Sequence, residues 1–163
     1  CEAFLAAVEE AACVCRENWL IEGNHTMESG MHAMGRILGQ KALPTAVMCS
    51  NDMMAFGAKR ELNRRGIDLP GRISVVGFDD VLFAEFASPP LTTIRMSRKA
   101  LARAAVEALR SLIELPGQPV PGILLRIPTS LIVRQSTGYA PRPASRAEAR
   151  ASVSLTTEHR PRA

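Results

Sequence analysis

Apolar positions in the first third of the chain predict two helices separated by a strand. Helical spacing of apolar side chains predicts a helix over residues 4–12. The short apolar run at 19–23 predicts a strand, and a second helix is predicted from Thr26 to Gly39. The apolar side of this second helix consists of Met27, Met31, Met34, Ile37 and Leu38. Methionines at this spacing are typical of a packed core, not of a ligand site.

Two further apolar runs predict strands of one sheet. Residues 45–49 are apolar on both faces and too short for a helix, which predicts a buried parallel strand. Residues 73–78 are rich in β-branched side chains and predict another strand. Between them we predict a helix over 52–65, ended by Gly66 in a left-handed conformation. Helices alternating with strands through short links predict the α/β class, a parallel sheet flanked by helices.

The last third of the folded part begins at a break, Ser88 to Pro90. Residues 91–96 are predicted to be extended, and a long helix is predicted over 97–115. Two short strands, 123–127 and 131–135, are predicted after it. The apolar stripe of the long helix consists of Ala100, Leu101, Ala104, Ala105, Ala108, Leu109, Leu112 and Ile113. A stripe of this width must be buried against another element.

Composition is that of a globular protein, with 47% hydrophobic and 22% charged residues. The net charge of +4 is unevenly distributed, because residues 138–163 carry five Arg against two Glu. The folded body is therefore nearly neutral. The end of the chain is rich in Ala, Arg, Pro and Ser and poor in large apolar side chains, which predicts a disordered basic tail over 137–163.

The cellular context is inferred from what the sequence contains. Its apolar runs are shorter than the ~20 residues of a membrane helix, and the chain begins at Cys1 with neither an initiator Met nor a secretory leader. We therefore expect an internal start within a longer reading frame. Four scattered cysteines favour a reducing cytoplasm. Cys13 and Cys15 have no second pair, so we expect no metal site, and we expect no cofactor.

Polar side chains follow two of the predicted strands, where ligands bind in open parallel sheets. Asn51 follows one strand, and Asp79 and Asp80 follow another. Such a cluster suits recognition of hydroxyl or amide groups. The alternative is structural: Asn51, or Ser50 beside it, caps a helix, and the two carboxylates favour a helix dipole. His25, after the first predicted strand, is either a ligand contact or a solvated loop residue.

Catalysis is disfavoured by the motifs. The sequence contains no nucleophile elbow, glycine-rich phosphate loop or metal-ligand set. A hydrolase using Asp79 or Asp80 would need a partner group within hydrogen-bond reach. Adjacent residues usually point apart, and the pattern places no other partner. We therefore predict that the protein is not an enzyme.

Several motifs in a fixed order, from residue 18 to residue 136, resemble the sensor domains of LacI/GalR transcription regulators. They are Asn18-Trp19 to Gly23, Glu28-Ser29-Gly30 at a helix start, residues 44–58 (PTAVMCSNDMMAFGA), 66–70 (GIDLP), 73–80 (ISVVGFDD), 89–94 (PPLTTI) and 131–136 (LIVRQS). The resemblance implies a type I periplasmic-binding-protein-like sensor, in which two α/β lobes close on a small effector. It also implies a homodimer and an N-terminal helix-turn-helix that binds operator DNA.

The resemblance further implies how the chain is divided. Residues 1–136 are expected to be a partial effector-sensing domain, mostly its C-terminal lobe, formed by about 1–90 and 121–136. Residues 91–94 are expected to cross to the other lobe, and 97–120 to pack on it. The DNA-binding head is expected to lie outside this chain, and the basic tail is not expected to replace it.

By resemblance, Asp79 matches the acidic residue with which such sensors hold sugar hydroxyls or a purine ring, and Asn51 matches a polar effector contact. His25 stands where relatives often place an aromatic side chain that stacks on the ligand. A sugar is the expected effector. Helices near the start of the lobe and around residues 52–65 are the expected dimer surfaces. The alternative is a sugar-binding protein of a transport system. The four cysteines disfavour it, and so do the motifs at 73–80 and 89–94, which resemble those of the regulators.

Overall fold

The computed structural model describes residues 1–114 and 124–141. Its elements, in chain order, are α1 (Glu2–Glu10), a 3₁₀ helix (Glu17–Trp19), α2 (Met27–Leu38), β1 (Ala46–Met48), α3 (Asp52–Arg64), β2 (Ser74–Phe78), α4 (Phe83–Phe86), β3 (Thr92–Met96), α5 (Arg98–Glu114) and β4 (Thr129–Ile132). The strands form one sheet in the order β1-β2-β3-β4. The first three strands are parallel, and the edge strand β4 is antiparallel to β3. The α/β prediction is therefore confirmed, with one antiparallel strand in the sheet.

The two central helices begin and end where their sequences predict. Thr26 caps α2 by accepting a hydrogen bond from the Ser29 N–H. Asn51 caps α3 in the same way, accepting from the Met54 N–H. Gly66 follows α3 with φ +65°, a conformation that glycine adopts without the Cβ clash of other residues.

Close contact between α2 and α3 forms much of the core. A Cβ atom on Gly57 would lie 2.0 Å from the Met27 carbonyl oxygen, and one on Gly30 would lie 2.1 Å from the Met54 carbonyl oxygen. The two helices therefore meet backbone to backbone at these glycines. Met34, Leu62, Ile73 and Leu91 are among the buried side chains around this contact.

The predicted strand over 19–23 is wrong. Residues 17–19 form a 3₁₀ turn, and residues 20–24 carry no strand assignment. A strand requires a partner for its backbone groups, and within the described residues β1 pairs with β2 only. The Trp19 indole instead donates to the Ala42 carbonyl oxygen over 3.1 Å.

Two other strand predictions need correction. The strand at 45–49 is parallel as predicted, but it is not buried, because β1 is the edge of the sheet and Met48 is 47% exposed. Residues 124–127 form no strand, and β4 occupies 129–132 instead of 131–135. Residue 123 lies outside the described residues. The sequence therefore predicts the positions of the apolar segments more accurately than it predicts which of them pair as strands.

The end of the described chain is attached across the sheet. Ser136 is fully buried, donates to the Val75 carbonyl oxygen over 2.6 Å and accepts from the Thr92 N–H over 2.8 Å. Gly138 donates its N–H to the Ser74 hydroxyl over 3.2 Å. The folded part thus continues two residues past 136. The predicted tail from 142 onward lies outside the described residues.

β3 corrects the expectation that 91–94 crosses to another lobe, because it lies between β2 and β4 in the same sheet. The departure from the sheet comes after β3, with α5. None of the residues of α5 is buried against the described parts of the chain, and its apolar face includes Leu101, Leu109, Leu112 and Ile113, between 43% and 69% exposed. This face is the one whose stripe predicts a packing partner.

Candidate functional site

Two of the three predicted site residues are in direct contact at the carboxyl end of β1. The Asn51 side chain donates through Nδ2 to the His25 carbonyl oxygen over 3.0 Å. The His25 ring Nδ1 lies 3.3 Å from the Ser50 hydroxyl. His25 has φ +64°, so its loop is held in a left-handed turn. The loop before α2 and the start of α3 therefore form one polar surface.

Asp79 lies at the end of the neighbouring strand, β2. Its N–H donates to the Ile94 carbonyl oxygen over 2.9 Å, which continues the ladder between β2 and β3. Partial burial raises the pKa of the Asp79 carboxyl, and the negative charge of Asp52 raises it further. The charges of Arg98 and His25 oppose this change. All three predicted site residues thus lie at the edge of the sheet formed by the carboxyl ends of β1 and β2.

Asp80 has a different environment from Asp79. Its carboxylate forms ion pairs with Arg95 at 2.5 Å and Arg134 at 2.7 Å. Burial acts to raise the pKa of Asp80, but the hydrogen bonds from Arg134 and Arg95 outweigh it and hold the pKa below its usual range. Arg134 also donates to the Leu91 carbonyl oxygen. Asp80 therefore ties the end of β2 to β3 and to the segment after β4.

The sequence places Asp52 beside Asn51 at this edge, but it does not predict the role that the structure gives Asp52. Its side chain is fully buried, with Oδ1 accepting from the Thr93 hydroxyl over 2.6 Å and Oδ2 accepting from the Val81 N–H over 2.8 Å. An Asp at the first position of a helix is usually a dipole partner, which conceals such a role. Gly77, opposite in β2, was the available signal, since a Cβ there would lie 2.2 Å from Asp52 Oδ1.

The edge can hold a small polar molecule. Within residues 1–114 and 124–141, no side chain forms a hydrogen bond or ion pair with the Asp79 carboxylate. Asn51, in contrast, already uses its oxygen on the helix cap and one of its two amide hydrogens on His25. A partly exposed, unpaired carboxylate accepts hydrogen bonds from ligand hydroxyl or N–H groups.

Two grooves border α2, and the first of them lies beside the loop that carries His25. An open groove of about 420 Å³ is lined by residues that include Glu22, His32 and Arg36. A second groove of about 760 Å³ runs between α2 and α3 past His32, Arg60 and Arg64. Neither groove is lined by a predicted site residue. Among the described residues no cluster of His, Cys, Asp and Glu suits a metal ion, and no helix is long and apolar enough to span a membrane.

An open α/β sheet with polar side chains at the carboxyl ends of its strands is the architecture of a small-molecule-binding domain. Comparison with known proteins gives the same class. Residues 2–137 match the periplasmic binding protein-like domain family, and the chain belongs to this family. Within it, the chain corresponds to the C-terminal effector-binding part of LacI-type regulators.

Three similar proteins illustrate the match. The HTH-type transcriptional repressor PurR of Glaesserella parasuis is 36% identical over 139 residues, which cover 83% of this chain and 41% of the repressor. A LacI-type transcription regulator from Bifidobacterium animalis is 36% identical with a TM-score of 0.74, over 83% of this chain and 48% of that one. A LacI family regulator from Lactobacillus casei with bound sucrose is 29% identical with a TM-score of 0.69, over 83% and 50%. The chain therefore spans less than half of the curated repressor's length.

Proposed function

We propose that this chain is the effector-sensing part of a cytoplasmic transcription regulator, a repressor that responds to a sugar or a similar small metabolite. The observation that carries the proposal is the Asp79 carboxylate, which is unpaired among the described residues while neighbouring Asp80 is paired twice. Of two adjacent acids, only Asp79 is thus available to a ligand. The similarity to LacI-type regulators supports the regulatory role.

The three site residues have different roles in this proposal. Asp79 accepts hydrogen bonds from ligand hydroxyl or N–H groups. Asn51 contributes through the amide hydrogen that the His25 carbonyl does not use, and it also fixes the turn at His25. The exposed His25 ring provides a flat surface or a hydrogen bond at the open side of the site. The proposal therefore assigns most of the specific binding free energy to Asp79.

A sugar is the proposed effector, because a carboxylate beside amide and imidazole groups suits a molecule with several hydroxyl groups. The bound sucrose in the Lactobacillus casei regulator supports this choice. Operator DNA is proposed to bind a helix-turn-helix in the part of the whole protein that precedes this chain. No enzymatic activity is proposed, and the similar proteins carry the names of regulators.

The exposed face of α5 supports a two-lobe arrangement. Its apolar side chains are buried by none of the described residues, and burying apolar surface stabilises a domain by about 25 cal/mol per Å². We propose that α5, with the rest of 97–120, packs on the first lobe of the whole protein. Residues 1–96, which include β3, and about 121–136 then form the second lobe, and the effector lies between the two.

A homodimer is the proposed assembly. Leu82, Phe83 and Phe86 are each at least 72% exposed, and so large an apolar group on one surface favours a protein partner. By resemblance, the outer surface of α3 contributes as well. Sedimentation of the full-length protein is expected to give a dimer that dissociates more readily in Phe83→Ser. A concentration-independent monomer would contradict this assembly.

The effector role is tested on the full-length regulator. A panel of mono- and disaccharides including sucrose is screened by thermal shift, and binding of the sugars that stabilise the protein is measured by calorimetry. Asp79→Ala is expected to weaken binding by roughly 1.5–3 kcal/mol, the range for hydrogen bonds to a charged group, and to leave operator affinity unchanged. Asp68→Ala is the matched control, since Asp68 is exposed and precedes β2 at the opposite edge. Unchanged affinity in Asp79→Ala would refute the role of Asp79.

The regulator and the transport protein are distinguished by the coding DNA upstream of Cys1. A helix-turn-helix and hinge there support the regulator. An export signal there would identify a transport-system binding protein instead. The same reading of the DNA tests the expectation that the chain has an internal start.

A further inference from the structure

Residues 79–81 are held by three consecutive backbone hydrogen bonds to three different partners. The Asp79 N–H donates to the Ile94 carbonyl oxygen of β3 over 2.9 Å. The Asp80 N–H donates to the Thr93 hydroxyl over 3.4 Å, and the Val81 N–H donates to Asp52 Oδ2 over 2.8 Å. Two of the three acceptors are side chains that also bind each other.

The backbone of this turn is strained. Asp79 has φ +113° and Asp80 has φ +51°, values that residues with a Cβ rarely adopt. Such conformations persist only where the surroundings over-determine them. The three hydrogen bonds provide that determination, because each fixes one peptide plane of the turn.

Asp52 itself is directed away from any ligand. It is fully buried, and both carboxylate oxygens are used, on Thr93 and on Val81. Its place against β2 depends on the missing side chain of Gly77, where a Cβ would lie 2.2 Å from Oδ1. A group in this position acts on a ligand only through the residues that it holds.

We propose that Asp52 is a positioning residue of the effector site: with Thr93, it fixes the strained turn 79–81 so that the Asp79 carboxylate faces the open edge of the sheet. This inference rests on the proposed role of Asp79 as the effector contact. It makes Asp52, a buried residue at the start of α3, responsible for the orientation of the Asp79 carboxylate.

The test compares two neighbouring buried threonines in the full-length regulator. Thr93→Val removes the hydroxyl that Asp52 and Asp80 use, whereas Thr93→Ser keeps it. Thr92→Val is the matched control, because the Thr92 hydroxyl bonds to the backbone N–H of Arg134 and to the Thr137 hydroxyl, and not to residues 79–81. Amide hydrogen exchange of residues 79–81 is expected to accelerate on the order of tenfold in Thr93→Val and in Asp52→Asn, and to stay near wild type in Thr93→Ser and Thr92→Val. Unchanged exchange in Thr93→Val would overturn the proposal.

A second measurement follows the Asp79 carboxylate itself. Carbon-13 spectra of labelled Asp79 report its titration, and Asp52→Asn is expected to lower the pKa of Asp79, because a nearby negative charge is removed. The same variants are titrated with mono- and disaccharides including sucrose. Weaker binding in Asp79→Asn together with unchanged binding in Asp52→Asn would overturn the positioning role alone. Unchanged binding in Asp79→Asn would overturn the proposed effector contact, while the exchange rates still decide whether Asp52 fixes the turn.

Discussion

Asn51 donates its side-chain amide to the His25 carbonyl oxygen over 3.0 Å. The oxygen of the same side chain accepts from the Met54 N–H over 2.9 Å and caps α3. One residue therefore joins the loop before α2 to the start of α3. The structural and the ligand-binding interpretations of Asn51 can be separated only by variants that keep one bond and lose the other.

Asn51→Ala, which loses both bonds, is expected to reduce the free energy of unfolding by roughly 0.5–2 kcal/mol, the range for loss of a helix cap. Asn51→Ser keeps a capping oxygen and is expected to remain closer to wild type. Urea denaturation measures both. Equal destabilisation by Ser and Ala would mean that the bond to His25, and not the cap, is the stabilising contact.

Gly57→Ala is expected to destabilise the fold by about 1–3 kcal/mol, the usual range for overpacking a core. The added Cβ would lie 2.0 Å from the Met27 carbonyl oxygen, which belongs to the backbone of α2 and cannot move aside alone. Gly39→Ala is the control, since its Cβ would have no neighbour closer than 3.5 Å and its φ is −79°. Thermal melting that ranks Gly39→Ala below Gly57→Ala would contradict the close helix contact.

Asp80 is expected to make stability fall in acid. Its pKa is lower in the folded protein than in the unfolded chain, because Arg134 and Arg95 bind the ionised form and outweigh the effect of burial. The stabilisation is therefore complete above the ordinary carboxyl range, about pH 4, and is lost as pH falls through the lower folded pKa. Denaturant midpoints at several pH values measure it. Asp80→Asn should flatten this dependence, and an unchanged slope would mean that the ion pairs contribute nothing.

The 163-residue chain studied alone is expected to bind a hydrophobic dye, because the described residues leave the apolar face of α5 uncovered. Replacing Leu109 and Ile113 with Lys should reduce the fluorescence, whereas changing the polar Arg103 and Glu107 to Gln should not. A cooperatively melting monomer without dye binding would indicate that α5 is covered within this chain.

Local signals in the sequence were enough to predict the two central helices. Thr26, Asn51 and Gly66 mark helix ends through contacts with their own neighbours, so their roles are visible without tertiary structure. The strand over 19–23 failed for the opposite reason, because a strand exists only where a distant partner accepts its hydrogen bonds.

The site was predictable in position but not in detail. The edge of the sheet could be inferred from Asn51 and Asp79, which directly follow strands. The distinction between Asp79 and Asp80 depends on Arg95 and Arg134, which are distant in sequence and reach only one of the two carboxylates. The burial of Asp52 likewise required three segments to meet, and no local pattern indicates that.

The two arginines that bind Asp80 also affect how the chain between β3 and β4 is attached to the sheet. Arg95 lies where the chain leaves the sheet towards α5, and Arg134 lies just after β4 returns it. Both hold the carboxylate of Asp80, beside the ladder between β3 and β4, so the two ends of the segment between these strands are anchored at one corner of the sheet. Asp80 is joined by one peptide bond to Asp79, the proposed effector contact. The anchor of this segment and the proposed effector contact are therefore consecutive residues of the chain.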